Sequence, residues 1–290
     1  MIMTLPHKKH YNHMVYKYYP FNDNTKDALS KNYLFFSKAS KLNDPYDTSS
    51  MLLTDEFYEN LIRMFRKAEL PKYMHIQWLK NTFKEMDDYG ICSFSKYEDN
   101  MHLWALYADK FSGIVIGFDE EKLKDLSYNN RIIPLMNTDY VKKWPHSYKS
   151  DTFNYSFYNG SHQTYQIRRC FEGHECGRIL EYFFQYLCTV KSNSWKEEKE
   201  VRLVASYRFL QELNKNHLYN VEKTDVGYKV PFPLNAVKCM IIGHNFIGDR
   251  TDIKKIARKY GITEIFKTSC TTPFKIDIVR QDELTNYVNR

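Results

Sequence analysis

The chain has 290 residues, 43% of them apolar, and a net charge of +7, which suits one large globular domain or two small ones. The longest apolar runs, such as Ile114–Phe118, are far too short to cross a membrane. The opening Met1-Ile-Met-Thr-Leu-Pro turns to His and Lys with no apolar core of signal-peptide length. The charge permits contact with a phosphate-rich ligand or nucleic acid, but no long Lys/Arg stripe demands it, and Lys254-Lys255 with Arg258-Lys259 reads as a solvated helix face.

In chain order, Val15–Tyr19 predicts a first strand. Asn24 with Asp27 suggests the start of a short helix that stops near Asn32. Tyr33–Ser37 is an aromatic-rich strand that ends in the polar turn Asn43-Asp44-Pro45-Tyr46-Asp47. Residues 51–90 read as a helical insertion. Leu53, Phe57, Leu61 and Phe65 recur every fourth residue, and a second helix from Pro71 buries Met74, Trp78, Leu79 and Phe83. Ile91–Ser95 predicts a short strand. A helix from Asp99 to Asp109 would bury Met101, Trp104, Ala105 and Ala108, and Gly113–Phe118 is the clearest central strand.

Residues 127–165 have weak periodicity and predict an irregular insertion or a flap. A long helix over 166–190 should follow. The alternation of Glu200–Tyr207 predicts a strand with Val201, Leu203, Ala205 and Tyr207 on one face. Later strands are expected at Val237–Ile242 and Lys275–Val279, with a basic helix between them. Interspersed strands and helices without a fixed repeat give an α+β class, a mixed sheet core with helical insertions in a single domain over 1–290.

Polar groups collect where the strands end. Asn43 and Asp44 are short arms that suit a ribose or an amide edge, and they equally suit a turn that only ends a strand. Ser93 and Ser95 share one side of their strand and are expected to line one cleft. Tyr107 offers a stacking surface, while Trp104 reads as core. Glu200 stands two residues from Arg202 on one strand face. A neighbouring guanidinium keeps a carboxylate ionised, which suits it to offset a developing oxocarbenium ion or to sit in a structural ion network. Six cysteines without CxxC spacing predict ordinary thiols in a reducing, cytoplasmic setting. Cys170, His174 and Cys176 lack a fourth zinc ligand, so no bound metal is expected.

These blocks resemble a bacterial family of uncharacterised function, domain of unknown function 2971. The likeness rests on Tyr33–Ser37 with Asn43–Asp47, on Ile91–Ser95 and on Leu103-Trp104-Ala105-Leu106-Tyr107-Ala108. Further blocks are Gly113–Asp119, Trp195–Leu203 with Glu198, Glu200 and Arg202, and Met240–Gly243. Together they span roughly residues 15 to 280, with 127–165 outside them. A looser likeness of layout is to ADP-ribosyltransferase folds, where an aromatic-Ser strand grips the nicotinamide riboside and a late Glu assists transfer. That likeness implies Tyr33 or Phe35, Ser37 and Glu200 in those roles. The first-strand His of one branch has no counterpart, since Tyr16 or Lys17 stands there.

The resemblance implies an NAD- or nucleotide-utilising transferase or glycohydrolase. It would take a nucleotide-like small molecule, with NAD as substrate and no tightly bound cofactor, and a toxic effector in phage defence is a setting by association. The substrate-binding set would be Tyr33, Ser37, Asn43, Asp44, Ser93, Ser95, Tyr107 and Arg202, with Glu200 catalytic. Two alternatives stay open. One is a non-enzymatic module that binds nucleic acid or a protein partner. The other is a Mg-dependent nuclease or phosphotransferase built on Asp44, Asp47 and Glu200.

Overall fold

The computed structural model describes residues 13–44, 47–48, 53–67, 75–123, 127–128, 131–133, 135–142, 152–156, 162–172, 174–215, 220–270 and 275–281. The chain begins β1 (Met14–Tyr19), α1 (Asp23–Lys31) and β2 (Tyr33–Lys38), then α2 (Asp55–Lys67), α3 (Ile76–Phe83) and β3 (Gly90–Ser95). α4 (Met101–Leu106), β4 (Ile114–Asp119) and α5 (Glu120–Leu123) follow. Six short strands come next: β5 (Ser127–Tyr128), β6 (Arg131–Ile132), β7 (Leu135–Asn137), β8 (Asp139–Val141), β9 (Thr152–Ser156) and β10 (His162–Gln166). The last part holds α6 (Cys176–Leu187), β11 (Val190–Ser192), β12 (Glu200–Ala205), α7 (Tyr207–Lys215), β13 (Glu222–Lys223) and β14 (Gly227–Pro231). It closes with β15 (Val237–Ile242), α8 (Arg250–Lys259), β16 (Ile265–Ser269) and β17 (Asp277–Arg280).

The fold is α+β, built on a mixed sheet in the order β13-β14-β2-β3-β1-β4-β15-β16-β17, with β12 and then β7 attached at β3. Within it β15 and β16 are parallel, joined through α8, and the other described pairings are antiparallel. The sheet forks at β3. One edge of β3 is taken along its whole length by β12, from Glu200↔Ser95 to Ala205↔Gly90. The other edge is divided: β2 holds Gly90 and Ile91, β1 holds Ser95, and Cys92, Ser93 and Phe94 pair with neither.

Strand alternation assigns the faces. Val15, Ile116, Leu203 and Met240 point into one core, with Leu29, Leu210 and Ile253 from α1, α7 and α8. The other face is covered in two parts. α2, α3, α6 and the β9–β10 hairpin bury Phe57, Phe83, Phe183 and Phe153 against Ile91 and Val204. α4 buries Leu103 and Trp104 against Tyr16, Val115 and Ile241. The opening at the fork lies between these two coverings.

Several expectations change in detail. The cap of α1 is Asn22, whose side chain accepts from Thr25 N, and its left-handed end at Asn32 is where the stop was read. α4 is shorter than 99–109, and Met101 and Ala105 are exposed because Leu103, Trp104 and Ala108 face the sheet. The helix expected over 166–190 is β10, a 3-10 turn, α6 and β11, because the apolar stripe that identified it begins only at Ile179. Tyr207 starts α7 and does not extend β12, and both faces of β12 are buried. The described parts of 127–165 are strands, with Phe153, Tyr155 and Tyr165 in the core. Pro71 and Met74 lie outside the described residues, as does the side chain of Phe65; Trp78 is only half-buried.

Trp104 is fully buried, with its ring edge-on to Tyr18 and stacked on Phe111, and its indole N–H donates to the Glu98 carbonyl at 2.8 Å. Phe111 is the last of three consecutive left-handed residues, Asp109, Lys110 and Phe111, with φ of 45°, 52° and 69°. Such a turn costs about 1–2 kcal/mol per residue, so the stacking on Trp104 helps to hold it. Trp104→Ala should lower stability by about 3–5 kcal/mol through the cavity it leaves. Chemical denaturation checks this; an unchanged midpoint with lost ligand binding would instead make Trp104 a stacking platform.

Candidate functional site

β12 brings Glu200 and Arg202 to the covered face because residues two apart on a strand share a side. Arg202 is 1% exposed. Its Nη1 and Nη2 donate to the two oxygens of Asp47 at 2.8 and 2.6 Å, and its Nε and Nη2 to those of Glu200 at 2.9 and 3.1 Å. Nη1 also donates to Thr48 Oγ1 and the Cys188 carbonyl. This is bidentate recognition on two sides, the geometry a planar guanidinium favours.

The network continues through Lys191 on β11. Its ammonium donates to Glu198 Oε2 at 2.6 Å and Glu200 Oε2 at 2.9 Å, and stands 3.6 Å from Asp47 Oδ2. Tyr107 donates its hydroxyl to the other oxygen of Glu198 at 3.0 Å, and Trp195 donates its indole N–H to Asp44 at 2.7 Å. Three buried carboxylates therefore surround two buried cations.

The two carboxyls of the Glu198-Lys199-Glu200 segment differ in acidity. Burial opposes the charge of Glu200, but Arg202, Lys191 and the Ser93 hydroxyl outweigh it and bring the carboxyl down to about 2. Burial prevails at Glu198 and pushes it above its ordinary value against the pull of Lys191. Burial opposes the charge on Lys191 as well, yet its carboxylates hold it protonated. Glu200 is thus the more firmly ionised of the two, and neighbouring carboxyls in unlike surroundings can take different roles.

A cleft of about 410 Å³ opens over this network at the fork. Ser37, Asn43, Asp44, Ser93, Tyr107 and Glu200 all line it, so the ends of β2, β3 and β12 converge as their polar groups suggested. Three expected residues lie elsewhere. Tyr33 is at the far end of β2 and donates to Asp27 at 2.8 Å. Ser95 is fully buried and donates its hydroxyl to the Glu198 carbonyl at 3.0 Å, so it does not line the cleft. Arg202 stands behind Glu200, with its donors committed inside the protein.

Lys17, Lys191, Trp195 and Glu198 also line the cleft and were missing from the expected site. Glu198 was visible as the first acid of the Trp195–Leu203 block. Lys191 was hidden by placing the end of a helix at 190, although Val190-Lys191-Ser192 is a strand. Among the described residues no group of three or more His, Cys, Asp and Glu side chains could hold a metal ion. Among them, too, no helix is long and apolar enough to cross a membrane.

The family described as "Protein of unknown function (DUF2971)" matches residues 103–203. That stretch carries Tyr107, Lys191, Trp195, Glu198, Glu200 and Arg202. It is shorter than the span read from the sequence blocks, and it runs through 127–165, which had been placed outside them. No curated protein and no solved structure matches the chain.

Glu200 sets an acid limb in stability. Its folded value of about 2 lies below the ordinary 4.5, so the unfolded chain binds more protons between those values. The contribution is complete above pH 4.5 and is lost as pH falls toward 2, with a ceiling on the order of 3 kcal/mol. Glu198 has the opposite sign: its contribution is full below the ordinary carboxyl value and declines as pH rises through its raised one. Glu200→Gln should flatten the acid limb and cost about 3–5 kcal/mol at neutral pH by leaving buried cations undercompensated. Denaturation midpoints between pH 5 and 2.5 measure this. An acid slope equal to that of the parent protein would mean that Glu200 is not held ionised.

Proposed function

We propose that the protein is an enzyme that cleaves, or transfers from, the glycosidic bond of an NAD-like nucleotide, with the cleft at the fork as its active site. The observation that carries this is the pair of buried carboxyls on one ammonium, Glu200 held ionised and Glu198 pushed up. Breaking the bond between ribose and nicotinamide builds positive charge on the sugar, and Glu200 offsets it electrostatically. Glu198, hydrogen-bonded to Tyr107, takes the proton of the attacking water or acceptor hydroxyl. Water as acceptor makes the reaction a glycohydrolase, and a hydroxyl or another nucleophile makes it an ADP-ribosyl transfer.

The size of the cleft suits a nucleoside-sized group, and Phe35, Tyr16 and Trp195 supply aromatic wall. The layout likeness to ADP-ribosyltransferase folds belongs to this proposal, with Phe35 in place of Tyr33 as the aromatic of the aromatic-Ser strand. Loss of NAD harms a cell, so a toxic effector in phage defence is the biological setting proposed. A Mg-dependent nuclease built on Asp44, Asp47 and Glu200 finds less support, since Asp47 and Glu200 face Arg202 and Asp44 accepts from the Trp195 indole.

Incubating the purified protein with NAD and measuring released nicotinamide tests the proposal. Glu198→Gln should lower kcat by about 10²–10⁴-fold while leaving KM for NAD nearly unchanged. Lys191 keeps Glu200 and Asp47 in that variant, so melting should move less than in Glu200→Gln. Absence of nicotinamide release by the parent protein, with candidate acceptors and partners supplied, would refute the reaction. Full turnover by Glu198→Gln would remove Glu198 from it.

A further inference from the structure

At the fork, Lys17 on β1 reaches toward β3 where the ladder is open. Its ammonium donates to the Ser93 carbonyl at 2.9 Å and lies 5.2 Å from the ring centre of Phe94 and 5.6 Å from that of Tyr19. The Cys92 thiol is its other polar neighbour. Among the described residues no carboxylate pairs with it, in contrast to Lys191, which stands among three. An ammonium has three protons to donate; the carbonyl takes one and the Cys92 sulfur a second, which leaves a donor for a ligand. A part-buried cation without a counter-ion is costly to keep, and this one lines the cleft. Lys41, at the same cleft, likewise has no ion pair among the described residues.

The cleft is therefore polarised. Its four acids, Asp44, Asp47, Glu198 and Glu200, gather about Trp195, Lys191 and Arg202 on the β12 side, and Lys17 stands on β1 with β3 between. Two strand spacings come to roughly 10 Å, and side chains reaching in from both sides shorten that to the scale of a ribose with a phosphate at its far end. We infer that Lys17 is the anchor of an anion subsite and receives phosphate oxygens of the ligand whose sugar lies over Glu198 and Glu200. This rests on the proposed function for the position of the sugar, and on the lysine's own surroundings for the anion.

Binding of ADP-ribose and of adenosine, by calorimetry, tests the subsite without turnover. The parent protein should bind ADP-ribose at least tenfold more tightly than adenosine, with the advantage falling as salt rises. Lys17→Gln keeps a donor for the Ser93 carbonyl and removes the charge. It should weaken ADP-ribose at least tenfold and leave adenosine unchanged, while Lys17→Arg retains most of the affinity. Equal losses for both ligands would reduce Lys17 to a prop for β3, and no loss for either would also overturn the subsite. If Lys17→Gln does not fold, the parent protein decides: equal affinity for the two ligands, independent of salt, overturns the inference. ADP-ribose binding that needs Lys17, without nicotinamide release from NAD, would refute the reaction and keep the subsite.

Discussion

The buried guanidinium of Arg202 is the constraint on which the site depends. It draws Asp47 and Thr48 from the segment after β2, the Cys188 carbonyl from the end of α6 and Glu200 from its own strand onto one planar group. A charge buried this deeply is tolerated only when its donors are satisfied, and unpairing it is far more costly than any surface ion pair. Three chain segments thus have their positions set by one residue. Lys191 links the same carboxylates from β11, the strand before β12 in the chain, and adds Glu198.

The fork in the sheet follows a different logic. β3 can take β12 along one edge while the other edge is divided between β2 and β1, because those two strands belong to branches with separate neighbours. The three residues of β3 that pair with neither leave a crevice floored by a charged strand and walled by aromatics. Backbone edges and two carboxyls of unequal acidity meet there under partial cover. Such a place is suited to stabilising charge as it develops, since the groups are held by packing and need little reorganisation.

Much of the fold was legible from pattern. β1, β2, β3, β4 and β15 lie within a residue or two of where apolar and aromatic runs placed them, since a half-buried strand must alternate or run apolar. The polar ends of β2 and β3 also marked the cleft, through Ser37, Asn43, Asp44 and Ser93. Boundaries failed where local pattern and tertiary contact disagreed. Val190 continued a helical stripe by spacing, yet it pairs with β8 as a strand. Residues 152–166 looked irregular because a hairpin packed against α6 takes its apolar groups from Tyr and Phe spread among polar neighbours.

The amino-acid order alone determined that the chain mixes strands with helices, and that acids, amides and hydroxyls cluster at strand ends. It also set Glu200 and Arg202 on one side of a strand, because a period of two is a property of the backbone. Tertiary structure decided what those residues do. Ser95 is held outside the cleft by its bond to the Glu198 carbonyl and Tyr33 by its place at the far end of β2, and Lys191 and Glu198 entered it through contacts across the chain. Periodicity records which way a side chain points, but the acidity of a carboxyl depends on burial and on the charges beside it. Those charges come from segments such as Asp47 and Arg202, brought together across 155 positions of sequence.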